Sequence, residues 1–260
     1  MNLFDDERKI IDIFQSIQDK EVRFPSLNDD VEDVYRNVHE ENYWKHWTYS
    51  AGKSDPPPDF FNEKSCLMMD VMRIDDHAFL SKKGKVINPT NAGESQLRKE
   101  LENSRILEMF PNYKNIFVNA KTTLPTKEDH NYTFYIDNFR RVVSEHSKKV
   151  DLYKKNHPGF KTIFFVMDES SAYFSSGGKG MKPEEGKMSK GKPHLFFFDK
   201  TFIDSIRQAP IDYLIWYAPF KLLRTGQGLF NLPKAVIYDI GRLDFEEIIY
   251  DVPFMVSAEI

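Results

Sequence analysis

Lys161–Asp168, Lys-Thr-Ile-Phe-Phe-Val-Met-Asp, restricts the fold more than any other stretch of the chain. Its apolar residues run without alternation, so a strand built from it must be covered on both faces. Such a strand belongs in the middle of a parallel or mixed sheet with helices on each side. Tyr213–Tyr217 repeats the pattern, and a last strand is expected near Ala235–Ile240. Between these strands lie stretches with apolar residues at helical spacing. They are 6–20, 31–38, 94–110, the long 128–155 and about 200–208, the last capped by Asp199 or Thr201. Alternating strands and helices predict an α/β protein with a central mixed sheet flanked by helices. Tyr43–Ser50, Asn115–Lys121 and His194–Phe198 read as further strands.

Leu67–Asp76, Leu-Met-Met-Asp-Val-Met-Arg-Ile-Asp-Asp, is the second constraint. It reads as a strand with one carboxylate, Asp70, in an apolar run. Burying that charge costs several kcal/mol unless it is paired, hydrogen-bonded or bound to a metal. Strand alternation puts Met68, Asp70 and Met72 on one face and Arg73 on the other, so Asp70 and Arg73 do not form a simple ion pair.

Composition narrows the function classes. A hydrophobic fraction of 40% and a charged fraction of 29% describe a globular chain. The net charge of −4 means that a polyanion would have to be met by a local basic patch. Lys82, Lys83 and Lys85 form one such patch. Lys187 and Lys190, in the glycine- and lysine-rich stretch 175–192, belong to a second, and that stretch is expected to be a mobile loop. A single cysteine, Cys66, excludes an intrachain disulfide and a cysteine-based zinc site, and fits a reducing, cytoplasmic setting. The acidic opening Met-Asn-Leu-Phe-Asp-Asp-Glu is unlike a signal peptide, and no run approaches the roughly 18 apolar residues of a membrane span. The seven histidines are scattered with no His-x3-His pair. Asp75-Asp76-His77 invites a metal reading, as in a nucleotide-sugar transferase, but with no aspartate-spaced partner or glycine-rich donor loop it reads rather as a solvated turn. The chain reads as one domain, with 193–260 as a possible small subdomain. The aromatic side chains of that final third, Trp216 among them, are a candidate surface for a protein partner or for self-association.

Three pieces then fall together: a helix ending in Glu40-Glu41, Pro58-Asp59 followed by the Asp70 strand, and Asn119-Ala120-Lys121 on a later strand. In the order αβββαβ they resemble the PD-(D/E)XK nuclease superfamily and its RecB-like members, over roughly residues 30–170. The resemblance implies a restriction-endonuclease-like core and Mg²⁺- or Mn²⁺-dependent hydrolysis of phosphodiesters in nucleic acid. Asp70 and Asp59 would hold the metal, with the choice between them open. Asn119 stands where the family has a carboxylate. Lys121 would position water, and Glu41 would complete the shell. A hard cation held by oxygen ligands with open positions suits that reaction. Two rivals remain: an interaction module that kept the fold and lost the site, and an unrelated enzyme centred on Asp168, at the end of the 161–168 strand.

Overall fold

A computed structural model describes residues 7–50, 58–88, 99–100, 103, 130–176, 191–225 and 228–258. Its chain order begins with α1 (Glu7–Phe14), β1 (Val22–Arg23), α2 (Asp29–His39), α3 (Glu41–Trp44), β2 (Thr48–Tyr49), β3 (Phe60–Asn62) and β4 (Leu67–Ile74). A hairpin of β5 (Phe79–Leu80) and β6 (Val86–Ile87) follows, then α4 (Tyr132–Ser147), α5 (Val150–Asn156) and β7 (Lys161–Asp168). The chain continues through β8 (Tyr173–Ser175), β9 (Lys192–Pro193), α6 (Lys200–Arg207), β10 (Tyr213–Tyr217), β11 (Leu222–Thr225), β12 (Gly228–Asn231), β13 (Ala235–Asp239) and β14 (Met255–Ser257).

Seven strands form one mixed sheet in the order β1-β13-β10-β7-β4-β3-β2. Its centre, β4, β7 and β10, is parallel. On one side β3 and β2 continue from β4 as an antiparallel meander. On the other, β13 runs antiparallel to β10 and parallel to β1. The apolar run of β7 is divided between two cores, as strand alternation requires. Phe164 and Val166 join Met68, Met72, Leu214 and Trp216 under α4 and α6, through Tyr135, Phe139, Val143, Phe202 and Ile206. Ile163, Phe165 and Met167 join Met69, Val71, Ile215 and Ile237 under α1 and α2, through Ile11, Phe14, Val31, Val34 and Val38. Each fully buried large side chain contributes roughly 1.5–3 kcal/mol, so the two layers rather than intrinsic propensity hold the helices. No helix among the described residues is long and apolar enough to cross a membrane.

The strand readings at 161–168 and 213–217 match the observed bounds, and 67–76 contains β4. Others needed correction. The 6–20 helix stops at Phe14, and the 128–155 helix is divided between α4 and α5. Tyr43–Ser50 is mostly not a strand, because Tyr43 and Trp44 lie in α3 and only Thr48–Tyr49 pairs. His194–Phe198 is not a strand either. Phe196–Phe198 turns as a 3-10 helix, which brings Asp199 to cap α6 by accepting from the Thr201 N–H at 2.8 Å. The expected 115–121 strand and most of the 94–110 helix and of the 175–192 loop lie outside the described residues.

At the start of α2 the Asn28 side chain accepts from the Val31 N–H at 3.0 Å and donates to Asp239 on β13 at 3.2 Å. Replacing it with alanine is expected to lower the unfolding free energy by about 1 kcal/mol. A urea titration checks this; Asn28→Ala melting with wild type would show that α2 needs no cap.

Candidate functional site

Two groups of side chains define the candidate site region, one within β3–β4 and one beyond the C-terminal end of β4.

The first group is built by strand register. Phe60, Phe61 and Asn62 face Met69, Met68 and Leu67, so one further step sets Asp59 opposite Asp70. The two carboxyls hydrogen-bond each other, and an Asp59 oxygen also accepts from the Val71 N–H at 2.7 Å. Asp70 is 3% exposed. Its Oδ2 takes a 2.6 Å bond from His146 Nδ1, at the end of α4, and a 3.1 Å bond from the Tyr153 hydroxyl on α5. Burial first, and then the negative charge of Asp70, push the Asp59 carboxyl up to about 8. A carboxyl–carboxyl hydrogen bond needs a proton on one partner, and a shared proton is what such a pair holds when no cation neutralises it. Glu7 on α1 adds a smaller negative influence on Asp59, and the Tyr49 hydroxyl donates to Glu7 at 2.5 Å.

The structure puts Asp59 and Asp70, the two alternatives for the metal aspartate, in one place. The remaining expected site residues fare differently. Glu41 is the exposed first residue of α3. Asn119, Lys121, Lys187 and Lys190 lie outside the described residues. Lys82, Lys83 and Lys85 are exposed between β5 and β6. Position 72, two beyond Asp70 on the same face, is apolar and buried Met72, so β4 itself carries no lysine beside the pair. His146 and Tyr153 had no signal in the sequence beyond their place on predicted helix 128–155.

The second group corrects the reading of Asp75-Asp76-His77. Asp75 does make the turn: its Oδ1 accepts from the His77 and Ala78 N–H groups at 3.1 and 2.8 Å. Asp76, in contrast, is fully buried. Its Oδ2 accepts from the Ser171 N–H at 3.0 Å, the Ser171 hydroxyl at 2.9 Å and the Tyr173 hydroxyl at 2.7 Å. Its Oδ1 faces His130 Nδ1 at 3.2 Å and His77 Nε2 at 3.5 Å. Burial works to raise the Asp76 pKa, but these partners prevail and hold it below the usual carboxylate range.

Asp168 stands beside this group with a different role. It is fully buried, and its Oδ2 accepts from the Tyr135 hydroxyl at 2.6 Å and Trp216 Nε1 at 2.8 Å. Its Oδ1 accepts from the Ser170 N–H and hydroxyl at 2.9 and 2.6 Å, and Lys221 Nζ lies 3.2 Å from Oδ2. Both Lys221 and Ser170 are buried as well. Five donors thus converge on a sealed carboxylate at the strand ends. Trp216, Tyr213 and Tyr217 are buried too, so they form no partner surface. Among the described residues, the exposed large apolar side chains of the final third are instead Phe220, Leu222, Leu229, Phe230, Ile249 and Val252.

No protein-family model, curated protein or solved structure matches the chain. The fold and side-chain geometry therefore define the class: a mixed α/β protein in which Asp59, partly buried just before β3, meets buried Asp70 on β4 of its main sheet.

Proposed function

We propose that the protein is a metal-dependent phosphodiester hydrolase acting on nucleic acid, with Asp59 and Asp70 as the ligands of Mg²⁺ or Mn²⁺. The observation that carries the reading is the cross-strand placement of these two carboxyls, with burial and then the charge of Asp70 pushing Asp59 well above its ordinary value. Oxygen donors of this kind suit a hard cation. The chain order supports the reading as well: a helix, the β2-β3-β4 meander, a helix, then β7 beside β4.

When bound, such an ion neutralises phosphate charge and lowers the pKa of a coordinated water. The protein's own part is to hold both carboxylates ionised toward the ion and to orient Asp70. His146 Nδ1 and the Tyr153 hydroxyl fix Asp70 Oδ2, which leaves Oδ1 as the oxygen for an ion. His146, about one-fifth exposed, is placed to store or release a proton at Asp70 as water is consumed. The exposed Lys82, Lys83 and Lys85 supply the local positive charge that a polyanion requires of a chain with net charge −4.

The test is a time course on linear, circular and single-stranded DNA and on RNA, with Mg²⁺ and with Mn²⁺. Cleavage by wild type is expected, faster with Mn²⁺. Asp59→Asn and Asp70→Asn, which keep the hydrogen-bond acceptors but remove a charge, are expected to lose more than roughly a hundredfold in rate. Lys121→Ala tests the lysine that the resemblance implies. If wild type binds nucleic acid without cleaving it, the protein is a binding module. If cleavage survives both asparagine variants, its active site lies elsewhere.

A further inference from the structure

Asp76, His77 and His130 make up a second ion site of different chemistry. Asp76 and His77 follow the end of β4, while His130 precedes the Asn131 cap of α4, 54 residues away from Asp76 in sequence. One ligand atom from each residue, a carboxylate oxygen and two imidazole nitrogens, lies within 4.8 Å of the others. Two bonds of about 2.05 Å meeting at a tetrahedral angle separate their donor atoms by about 3.3 Å. Asp76 Oδ1 is 3.2 Å from His130 Nδ1 and 3.5 Å from His77 Nε2, so two edges of such a tetrahedron already have the right length.

The surroundings hold the donors in that arrangement. The three donors on Asp76 Oδ2 turn Oδ1 toward the histidines, with His130 Nδ1 3.2 Å from Oδ1 and 3.4 Å from Oδ2. His130 has φ 55°, in the left-handed region that few side chains other than Asn, Asp and His adopt readily. The Asn131 N–H is bonded to the Asp76 carbonyl at 3.0 Å, and the Asn131 side chain caps α4. The backbone is thus fixed directly after His130. The Asp76 side chain is sealed, whereas those of His77 and His130 are 13% and 20% exposed. The floor of the site is closed and its rim reaches solvent, which leaves access for an ion and a fourth ligand.

We propose that Asp76, His77 and His130 bind a divalent transition-metal ion, zinc by preference, and that the ion ties the start of α4 to the end of β4. Two imidazoles and one carboxylate select a borderline ion over Mg²⁺, which prefers oxygen donors and retains its waters. The site is separate from the Asp59–Asp70 pair in both ligands and preferred metal.

Calorimetric titration of the full chain with zinc chloride, paired with elemental analysis after gel filtration, tests this. Wild type is expected to bind one equivalent and to melt at a higher temperature with zinc than with chelator. His77→Ala and His130→Ala, at partly exposed positions, are expected to fold and to lose the zinc-dependent rise. Partners that merely orient a ligand are worth about 10–100-fold in metal affinity, so loss of a ligand should weaken zinc at least that much. His46→Ala, at an exposed histidine, and Asp70→Asn are expected to bind zinc as wild type does. Asp70→Asn also separates this site from the hydrolase reading, since it would lose cleavage while keeping zinc. The proposal is overturned if wild type binds no zinc, or if His77→Ala and His130→Ala bind it as tightly as wild type.

Discussion

Asp168→Ala is expected to unfold readily, with a melting temperature roughly 10–20 °C below wild type. The carboxylate it removes is the common acceptor of Tyr135, Trp216 and Ser170 and the counter-ion of Lys221. Lys221 has little alternative: its Nζ bonds the Ser170 hydroxyl at 2.5 Å and the Ser171 carbonyl at 3.1 Å, under the rings of Tyr135 and Phe196. Leaving a buried ammonium without its partner costs about 3–5 kcal/mol. Each orphaned buried donor adds about 1–3 kcal/mol. Against a total stability of about 5–15 kcal/mol, that sum removes most of the margin. A double mutant separates charge from shape. Asp168→Asn keeps an oxygen for Tyr135 and Trp216 but strands Lys221, so adding Lys221→Met should recover part of the loss. Thermal and urea melts of the four proteins decide it. Asp168→Ala within about 1 kcal/mol of wild type would mean that the buried network contributes little.

The same residue shows where the sequence stops being informative. The β7 strand that ends in Asp168 was legible because both of its faces are apolar, and each face does meet its own helical layer. The fate of Asp168 depends on Tyr135, Trp216 and Lys221, which are 33 to 53 residues away and carry no local sign of convergence. Asp70 was legible as a carboxylate that needs a partner. That the partner is Asp59 follows from the register of a short hairpin, which is set by which residues turn between Asn62 and Leu67. The Asn62 side chain fixes that turn by accepting from the Lys64 and Ser65 N–H groups at 3.0 and 3.3 Å, a role that a strand-end asparagine does not announce. Phe196–Phe198 misled in the opposite way. Three phenylalanines favour a strand by local preference, but the chain turns there so that Phe196 and Phe197 can be buried. Asp76 looked like part of a solvated turn because Asp75, beside it, is one. Only packing distinguishes the two acids.

In the absence of divalent metal, the stability of the protein is expected to fall as pH rises from about 4 to about 8, and Asp59→Asn should remove much of that fall. Asp59 ionises near 3.9 in the unfolded chain. Folding raises it to about 8, through burial and through the charge of Asp70. Between these values the native state binds a proton that the unfolded state does not, so stability drops with increasing pH. The contribution is complete below about 4 and is lost as the pH passes through the folded value. Discounted for solvent reaching the pair, the swing is roughly 2–3 kcal/mol. The comparison of wild type with Asp59→Asn isolates it from other titrating groups, such as buried His194, whose pKa burial lowers. Asp70→Asn should flatten the curve too, because it removes the like charge while its oxygen still serves His146 and Tyr153. A cation that takes the place of the shared proton gives the reverse dependence. Mg²⁺ or Mn²⁺ should stabilise wild type at pH 8, where both carboxyls can ionise, and have little effect at pH 5, where the proton competes. Urea unfolding of the three proteins at the two pH values, with metal and with chelator, measures every term. A difference between wild type and Asp59→Asn that stays constant with pH would show that the two acids do not share a proton. A metal effect of equal size at both pH values would place the cation elsewhere.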